Sequence, residues 1–518
     1  MLWKVPTKLS AEEQRLVARM RKPSRFFVFL REIRAELFTP EFQEELARAY
    51  EPRGQEPVPP ALLAMVVLLQ AYTQTSDAAA VEEAEMNPRW QLVLGLLGEE
   101  KAPFGQGSLP RFRERMAAHD LDRRLLERTV ELAKRTGGFG WQKLKAAFDS
   151  SPLRGRGRVA DTWNLIGQAM GKLVSALAKI AAVEEDTIIA EARLTLLQGS
   201  SIKAALDIDW DDHDQRSEAL QRLVGEAQAL LDWARARAPD AMKEREVEQA
   251  AVLLERVLHQ DTEPDPERPR RVRIRKGVAE DRVCSVGDPE MRHGRKTRSQ
   301  AFNGYKRYIA TSIDAPLVLA AEARPANQPE REAVPSLVDQ VAPYGELDEL
   351  FIDRGFLAHP EIAALDRDGV QVRCRPWREQ NKHGRFGKSA FKIDLRRRLV
   401  TCPSGKQAEY SANTPTAYFG AETCDRCRLR ARCTDAKAGR AIRIHPHESL
   451  HRKLEARRAT EHGRQHLRAR VVVEHRLARI GGLQSDRARY KGARKNTLDL
   501  RRHAAVANLI ELQAALAA

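Results

Sequence analysis

The stretch Leu144–Arg158, LKAAFDSSPLRGRGR, decides the fold, because the helical spacing of apolar residues before it gives way there to a short apolar run and a basic loop. The short apolar run LKAAF predicts a buried strand that ends at Asp149. A polar loop follows, in which glycines separate Arg154, Arg156 and Arg158. An acid at a strand end is usually a turn former or a helix cap, so Asp149 alone does not define a site. The rest of the chain has to supply the context.

Helical and strand patterns alternate along the chain in large blocks. Apolar residues recur at helical spacing before the first strand and again after it, and strand-like runs return from Tyr305. The sequence therefore predicts an α/β protein with a mixed-sheet core. The predicted division is a helical N-terminal domain over 1–138, the first core strand over 139–160, a helical insertion over 161–260, the continued core over 261–383, a Cys-rich insertion over 384–447 and C-terminal helices that complete the core over 448–518.

A polar segment closes the helical insertion. Asp261–Gly277, DTEPDPERPRRVRIRKG, is rich in Pro and Arg, and we interpret it as a linker or a DNA-contacting arm. The acidic run Asp207–Asp214 could suggest a metal site, but a solvated turn between helices is the simpler interpretation.

Composition favours a polyanionic partner. Lys and Arg number 88 against 72 Asp and Glu, for a formal net charge of +16, and basic surfaces bind nucleic acid through phosphate contacts. Many other proteins are equally basic, so charge alone does not prove DNA binding. The longest apolar run, Ala61–Leu69, is too short to cross a bilayer, and no secretory signal opens the chain. We therefore expect a soluble, cytoplasmic protein without membrane contact.

Two further acids have suggestive positions. Asp353 ends the apolar strand pattern LDELFID, with Asp348 as a second choice in the same run. Glu474 shares a predicted helix face with apolar residues, where a charge is costly unless a cation offsets it. The cation could be a metal ion, or Arg470 four residues earlier. The predicted elements follow one another in a definite order: a strand with Asp149, two more strands, a helix, a strand with Asp353 and a late helix with Glu474. This order could bring the three acids together.

Several stretches resemble DDE transposases of bacterial insertion sequences. They are AFDSSPLRGRGRVADTWNLIG from Ala147, DPEMRHGRKTRSQAFNGYKRYIATSID over Asp288–Asp314, FIDRGF, FKIDLRRRLVTCPSGK, RVVVEHRLARI and the N-terminal PALLAMVVLLQAYTQTSDAAAVEEA. The resemblance implies an RNase H-like catalytic core whose triad is Asp149, Asp353 and Glu474. It also implies two Mg²⁺ (or Mn²⁺) ions per active site, cleavage at transposon ends and strand transfer. The implied partner is double-stranded DNA, bound by a homodimer.

The chain departs from one signature of this family. Many relatives carry Tyr, Arg, Glu and Lys around the last acid, and Arg470 and Glu474 match two of them. Leu467 stands where the Tyr is expected and Gly481 where the Lys is expected. Lys491, or Arg489, is a candidate replacement for the Lys.

Basic residues cluster near the predicted site. A run of charges is usually a solvated face, but runs beside a two-metal site are typical of phosphate clamps. The residues predicted to contact DNA are Arg154, Arg156, Arg158, Arg295, Lys296, Arg298, Lys306, Arg470 and Lys491.

Four of the six cysteines fall close together. Cys402 is followed by Cys424, Cys427 and Cys433 in a C-x2-C-x5-C pattern, which predicts a structural Zn²⁺ site. Free thiols, an iron–sulfur cluster or a site that uses His445 or His447 remain alternatives. Cys284 and Cys374 are interpreted as ordinary thiols.

Two other functions fit the same residues. A catalytically inactive, domesticated DNA-binding protein would bind DNA but fail a nicking assay. A structure-specific nuclease with an RNase H-like core would cleave branched DNA without joining strands.

Overall fold

The computed structural model describes residues 2–4, 6–51, 57–136, 138–140, 143–297, 299–377 and 384–517. Within its described part, the N-terminal region is helical. The helix α4 is apolar and buried over nearly its whole length, and it begins at Pro60, a position where proline costs no hydrogen bond. The N-terminal helices are α1 (Ala11–Arg19), α2 (Arg25–Leu37), α3 (Pro40–Ala47), α4 (Pro60–Thr73), α5 (Asp77–Met86), α6 (Pro88–Leu94), α7 (Ser108–Ala118) and α8 (Leu121–Thr136).

The strands form one large sheet and several small ones. They are β1 (Leu144–Arg154), β2 (Thr262–Pro264), β3 (Val272–Ile274), β4 (Arg292–Arg295), β5 (Ala301–Ser312), β6 (Val318–Pro325), β7 (Leu347–Phe351), β8 (Gln371–Arg373), β9 (Lys392–Asp394), β10 (Leu399–Thr401), β11 (Gln407–Glu409), β12 (Thr416–Tyr418) and β13 (Ala441–Arg443).

The large sheet is mixed and has β1 at its centre. Its order is β4-β5-β1-β7-β8, and β6 also pairs with β5. β1 runs antiparallel to β5 and parallel to β7. The last pair of the parallel ladder is Ala147 with Phe351. Asp149 on β1 and Asp353, just after β7, each stand two residues beyond this pair, so the register places the two acids side by side. The predicted strand end at Asp149 is wrong, because β1 continues to Arg154 and Asp149 pairs with Ile309 of β5.

The insertion between β1 and the rest of the sheet has its own hydrophobic core. The ring of Trp163 packs edge-on against Trp210 in this core, with ring centroids 5.0 Å apart. Its helices are α9 (Thr162–Ala181), α10 (Glu185–Glu191), α11 (Ile202–Leu206), α12 (His213–Arg237) and α13 (Arg245–Asp261). In the acidic run, Asp212 caps α12 by accepting from the N–H groups of Asp214 and Gln215.

The segment interpreted as a linker or arm is part of this insertion. β2 and β3 form an antiparallel hairpin within it. The side chain of Gln221 on α12 accepts from the Val272 N–H at 2.9 Å and donates to the Val272 carbonyl at 2.7 Å. A linker is therefore the wrong interpretation, because these bonds fix the hairpin on the helices.

The remaining helices cover the sheet and complete the core. They are α14 (Val334–Val341), α15 (Pro360–Arg367), α16 (Ala421–Asp425), α17 (Glu448–Ala459), α18 (Glu461–His466), α19 (Val471–Gln484) and α20 (Ala493–Leu516). α19 packs against β1 and β5, and α20 packs against β6, α8 and α4. One hydrophobic core therefore joins the N-terminal helices, the large sheet and the C-terminal helices.

The Cys-rich region is a small unit with its own apolar cluster. β9, β10 and β11 form a three-stranded antiparallel sheet, and β12 pairs with β13. Among the described helices, none is by itself both long enough and apolar enough to span a membrane, although the bent pair α9 and α10 meets that length and composition together.

Candidate active site

The three predicted catalytic acids line one open cleft of about 2070 Å³. Asp149 lies on β1, and Asp353 follows the end of β7. Glu474 lies in the first turn of α19, which packs against β1. A parallel strand pair and one packed helix thus bring together carboxylates that are far apart in the sequence.

Arg470 bridges two of these acids. Its Nη1 lies 3.1 Å from Asp149 Oδ2, and its Nη2 donates to Glu474 Oε1 at 2.8 Å. Burial raises the pKa of Asp149, and the charges of Asp353 and Glu330 raise it further, while Arg470 and the N–H of Ser150 act in the opposite direction. The net rise in pKa means that the folded chain disfavours the ionised form of Asp149.

The sequence argument for Glu474 is wrong in one respect. The helix face it occupies is not buried: the Glu474 side chain is 52% exposed, and Val471 is exposed as well. The core face of α19 consists instead of Val473, Leu477 and Ile480. The face that looked apolar in the sequence borders the cleft, so Glu474 carries no burial cost.

The cleft also contains a fourth acid, Glu330, which the sequence did not predict. Glu330 follows β6 and accepts a hydrogen bond from Ser150 Oγ at 2.5 Å. In the sequence it stands directly after Pro329, a position typical of acids that begin a helix. That local pattern hid its place beside Asp149.

Basic side chains also line the cleft. Four of the predicted DNA contacts line it, namely Arg154, Arg295, Lys296 and Lys306. Arg307, which the sequence did not single out, lies there too and donates to Ser151 Oγ, the Pro152 carbonyl and the Ser485 carbonyl. Burial lowers the pKa of Arg307 to about 10, a value at which the group stays charged at neutral pH.

Other predicted contacts lie elsewhere. Arg156 and Arg158 are exposed but do not line the cleft, and Arg156 donates to the Arg489 carbonyl at 2.9 Å. Lys491 lies in a separate groove that includes Arg113, so it does not stand beside Glu474 as a replacement lysine.

Two more sequence candidates, Arg298 and Asp348, have to be considered. Arg298 falls outside the described residues. Asp348 Oδ1 lies 3.8 Å from Lys143 Nζ, and Asp348 does not line the cleft.

The four clustered cysteines line a second, small cavity. All six cysteines of the chain are free, and Cys284 and Cys374 are buried elsewhere. The Leu429 N–H donates to Cys427 Sγ at 3.4 Å, and the Arg440 N–H donates to Cys424 Sγ at 3.3 Å. Burial raises the pKa of the Cys433 thiol, and its cysteine neighbours raise it further, as expected for thiols held close together.

The acids of the cleft match a divalent cation in donor chemistry but not in their present spacing. Carboxylate oxygens are the ligands that Mg²⁺ prefers. Within the described residues, no three His, Cys, Asp or Glu side chains stand close enough together to hold a metal ion. The guanidinium of Arg470 occupies the position between Asp149 and Glu474. A metal ion there would have to replace this side chain as the partner of the acids.

Two family comparisons agree with the order of these elements. A family described as "Transposase domain (DUF772)" matches residues 17–115, within the N-terminal helices. A family described as "Transposase DDE domain" matches residues 401–513, which contain Glu474. No curated protein and no solved structure gives a significant match. These two matches support a transposase, a class of nucleic-acid-processing enzyme. More particularly, they support a DDE transposase of an insertion sequence.

Proposed function

We propose that the protein cleaves DNA at transposon ends and joins the freed ends to target DNA, with Asp149, Asp353 and Glu474 as catalytic acids in an RNase H-like core. The observation that carries the proposal is the convergence of these acids in one cleft with a basic wall. The central antiparallel pair and the parallel strands on its other side support the RNase H-like assignment.

The acids would hold Mg²⁺, or Mn²⁺ in its place. The chemistry that two such ions supply is activation of the attacking oxygen and stabilisation of the leaving oxygen of a phosphodiester. The chain's own side chains bind and orient the DNA. Arg154, Lys296 and Lys306, which line the same cleft, would bind phosphates there, and such contacts fix the register of the duplex without reading its bases.

Arg470 has a second role in this proposal. Without a metal ion it neutralises Asp149 and Glu474, which would otherwise repel each other. Arg470 would bind a phosphate in the cleft if cations held by Asp149 and Glu474 took its place as their partner. Because two transposon ends have to be paired before joining, a homodimer on DNA is the expected assembly.

A nicking assay tests the catalytic assignment. Asp149→Asn, Asp353→Asn and Glu474→Gln should each lower cleavage of an end-containing duplex in Mg²⁺ by about a thousandfold or more, since metal ligands act on the transition state. Binding of the same duplex should change little, because it rests on distributed phosphate contacts. Asp348→Asn is the matched control and should cleave like the wild type. Normal cleavage by a folded Asp353→Asn protein would remove that acid from the site.

We also propose that Cys402, Cys424, Cys427 and Cys433 bind one structural Zn²⁺. The shared cavity and the N–H groups directed at two sulfurs support this, because such N–H groups stabilise thiolates. Four thiolates form a closed tetrahedral site, whose role is to hold a region with a small core together.

Elemental analysis tests the zinc proposal. Protein purified without added metal should contain about one Zn²⁺ per chain, as expected for a closed four-ligand site. Cys424→Ser should remove the zinc and lower the melting temperature. Cys284→Ala, in a different apolar cluster, should keep the zinc. Metal-free wild-type protein whose four clustered thiols all react rapidly with a thiol reagent would contradict the site.

A further inference from the structure

The side chain of Arg307 joins β1 to the end of α19. Arg307 lies on β5, opposite Ser151 of β1. Its Nε donates to Ser151 Oγ at 3.0 Å, and its Nη2 donates to the Pro152 carbonyl at 2.9 Å. Its Nη1 donates to Gln484 Oε1 at 3.3 Å and to the Ser485 carbonyl at 3.0 Å. These four bonds fix the guanidinium in one place beside the cleft that it lines.

The positive charge of Arg307 has no acidic partner in the described part of the chain. The residue is only 5% exposed, and all four of its hydrogen-bond acceptors are neutral. Burial lowers its pKa, and the charges of Asp486 and Asp499 act against burial, but neither carboxylate forms a described ion pair with Arg307. A buried charge is costly unless a counter-charge offsets it. An anion in the cleft would supply that counter-charge.

The guanidinium of Arg307 is open toward α19. An arginine has five N–H donors, so the four described bonds leave one hydrogen of Nη2 for a ligand. Gly481 of α19 lies next to this group: a Cβ atom there would stand 3.8 Å from Nη2 and 3.9 Å from Nη1. Both residues line the cleft. Because Gly481 has no side chain, residue 481 does not cover the guanidinium.

We propose that Arg307 binds one backbone phosphate of the DNA in the cleft. The inference rests on the proposed function and adds a DNA contact that the sequence did not single out. Phosphate is the anion that DNA carries, and hydrogen bonds between a guanidinium and a phosphate are among the strong ones in proteins. Because its other donors already hold Arg307 in place, the side chain loses little freedom when it binds.

Single neutral linkages in the DNA test this contact. A methylphosphonate linkage removes the charge of one phosphate, and a series of end-containing duplexes carries it at successive positions. Equilibrium binding of the full chain is measured in EDTA, so that no strand is cut. At one linkage the wild type should lose about tenfold in affinity, as expected for a hydrogen bond between charged groups. In Arg307→Gln the same linkage should cost less than about twofold, because the partner of that phosphate is already gone.

Arg34→Gln is the matched control for the loss of a buried arginine. Arg34 on α2 is 1% exposed and donates to the carbonyls of Leu92 and Val93. It does not line the cleft. Its loss should lower stability but leave the cost of each neutral linkage as in the wild type.

A second variant covers the guanidinium without removing its hydrogen bonds. Gly481→Leu should lower the cost of the same linkage, because an apolar side chain then stands between Arg307 and the DNA. Replacing a glycine within a helix also favours folding. Gly482→Leu is its control: Gly482 is exposed, a Cβ atom there meets nothing within 4 Å, and the residue does not line the cleft. This variant should bind like the wild type.

Circular dichroism melting shows which variants fold. If folded Arg307→Gln shows the wild-type cost at every linkage, Arg307 does not bind a phosphate. If Arg307→Gln does not fold, the same result in Gly481→Leu overturns the contact. Either result leaves the proposed function standing, provided that the wild type binds the duplex. A wild-type chain that does not bind the duplex at all would contradict the proposed function itself.

Discussion

The surroundings of Asp149 destabilise the ionised form of its carboxyl group, the form that catalysis requires. Its carboxylate is largely buried, and its neighbours include two other acids of the cleft. Burial raises its pKa above the ordinary value, so the folded chain binds the proton more tightly than the unfolded chain does. The bound proton stabilises the fold fully below about pH 4, the ordinary pKa of Asp. This stabilisation is lost as the pH rises through the higher pKa of Asp149 in the folded chain. At neutral pH the ionised side chain therefore lowers stability.

Asp149→Asn should consequently stabilise the metal-free protein while abolishing cleavage. In EDTA at pH 7.5 we expect a higher melting temperature than for the wild type, with a difference that shrinks as the pH falls toward the ordinary Asp pKa of about 4. Thermal melts across that pH range provide the measurement, with Asp348→Asn as a control outside the cleft. A lower melting temperature for Asp149→Asn at pH 7.5 would contradict the destabilising role of the charge.

Residue types, the order of the elements and the family resemblance together selected Asp149, Asp353 and Glu474 from the sequence, and all three line one cleft. The reason given for Glu474 was wrong, because helical spacing does not distinguish a face that packs on the core from one that borders a cleft. Glu330 and Arg307 escaped notice because their roles depend on contacts across strands. Such contacts follow from sheet register, which spacing in a single sequence does not provide.

At the scale of elements, β1 and the segment after α19 form one unit. The Arg154 N–H donates to the Asp486 carbonyl at 2.8 Å, and the Ala488 N–H donates to the Arg154 carbonyl at 2.7 Å. Arg154 lines the cleft from this fixed backbone, whereas Arg158 extends from the loop beyond it. Arg154, Arg156 and Arg158 look equivalent in the sequence, but only Arg154 lines the cleft.

Arg154→Gln should therefore slow cleavage more than Arg158→Gln does. If Arg154 contacts a phosphate near the scissile bond, its loss should also flatten the plot of log affinity against log salt by about one unit. Single-turnover nicking and end binding across a salt series measure both effects, and the similarly exposed Arg158 provides the matched control. Equal cleavage rates in the two variants would place the phosphate contact elsewhere.

Helices such as α8 were predictable because their apolar residues recur at helical spacing, and α4 and β6 were predictable because they are continuous apolar runs. The β2–β3 hairpin was not, because its Pro- and Arg-rich composition is typical of a linker. Two hydrogen bonds from Gln221 to Val272 decide its structure. A tertiary contact of this kind leaves no local pattern in the chain.

At the scale of the whole molecule, α20 connects the N-terminal helices to the sheet. Asn508 on α20 accepts from the Val318 N–H at 2.7 Å and donates to Thr129 Oγ1 of α8 at 3.0 Å. At the other end of the contact, Arg494 and Arg501 of α20 both donate to the carboxylate of Asp122 on α8. α20 also packs against α4, so a helix matched by one transposase family contacts the region matched by the other.

Asp122→Ala should weaken this connection strongly. The Asp122 side chain is 1% exposed and Arg501 is 7% exposed, and removing one partner of a buried ion pair costs about 3–5 kcal/mol, because the other charge stays buried. Asp120 contacts the same two arginines, but its side chain is 54% exposed, so Asp120→Ala should cost about 1 kcal/mol or less. Thermal melts of the two variants, together with the rate of proteolytic cleavage between the N-terminal helices and the sheet, measure the difference. Faster cleavage in Asp122→Ala alone would show that the buried pair joins the two regions. Equal losses in both variants would instead assign the connection to apolar packing of α20, since the shared core would then hold the regions together without the ion pair.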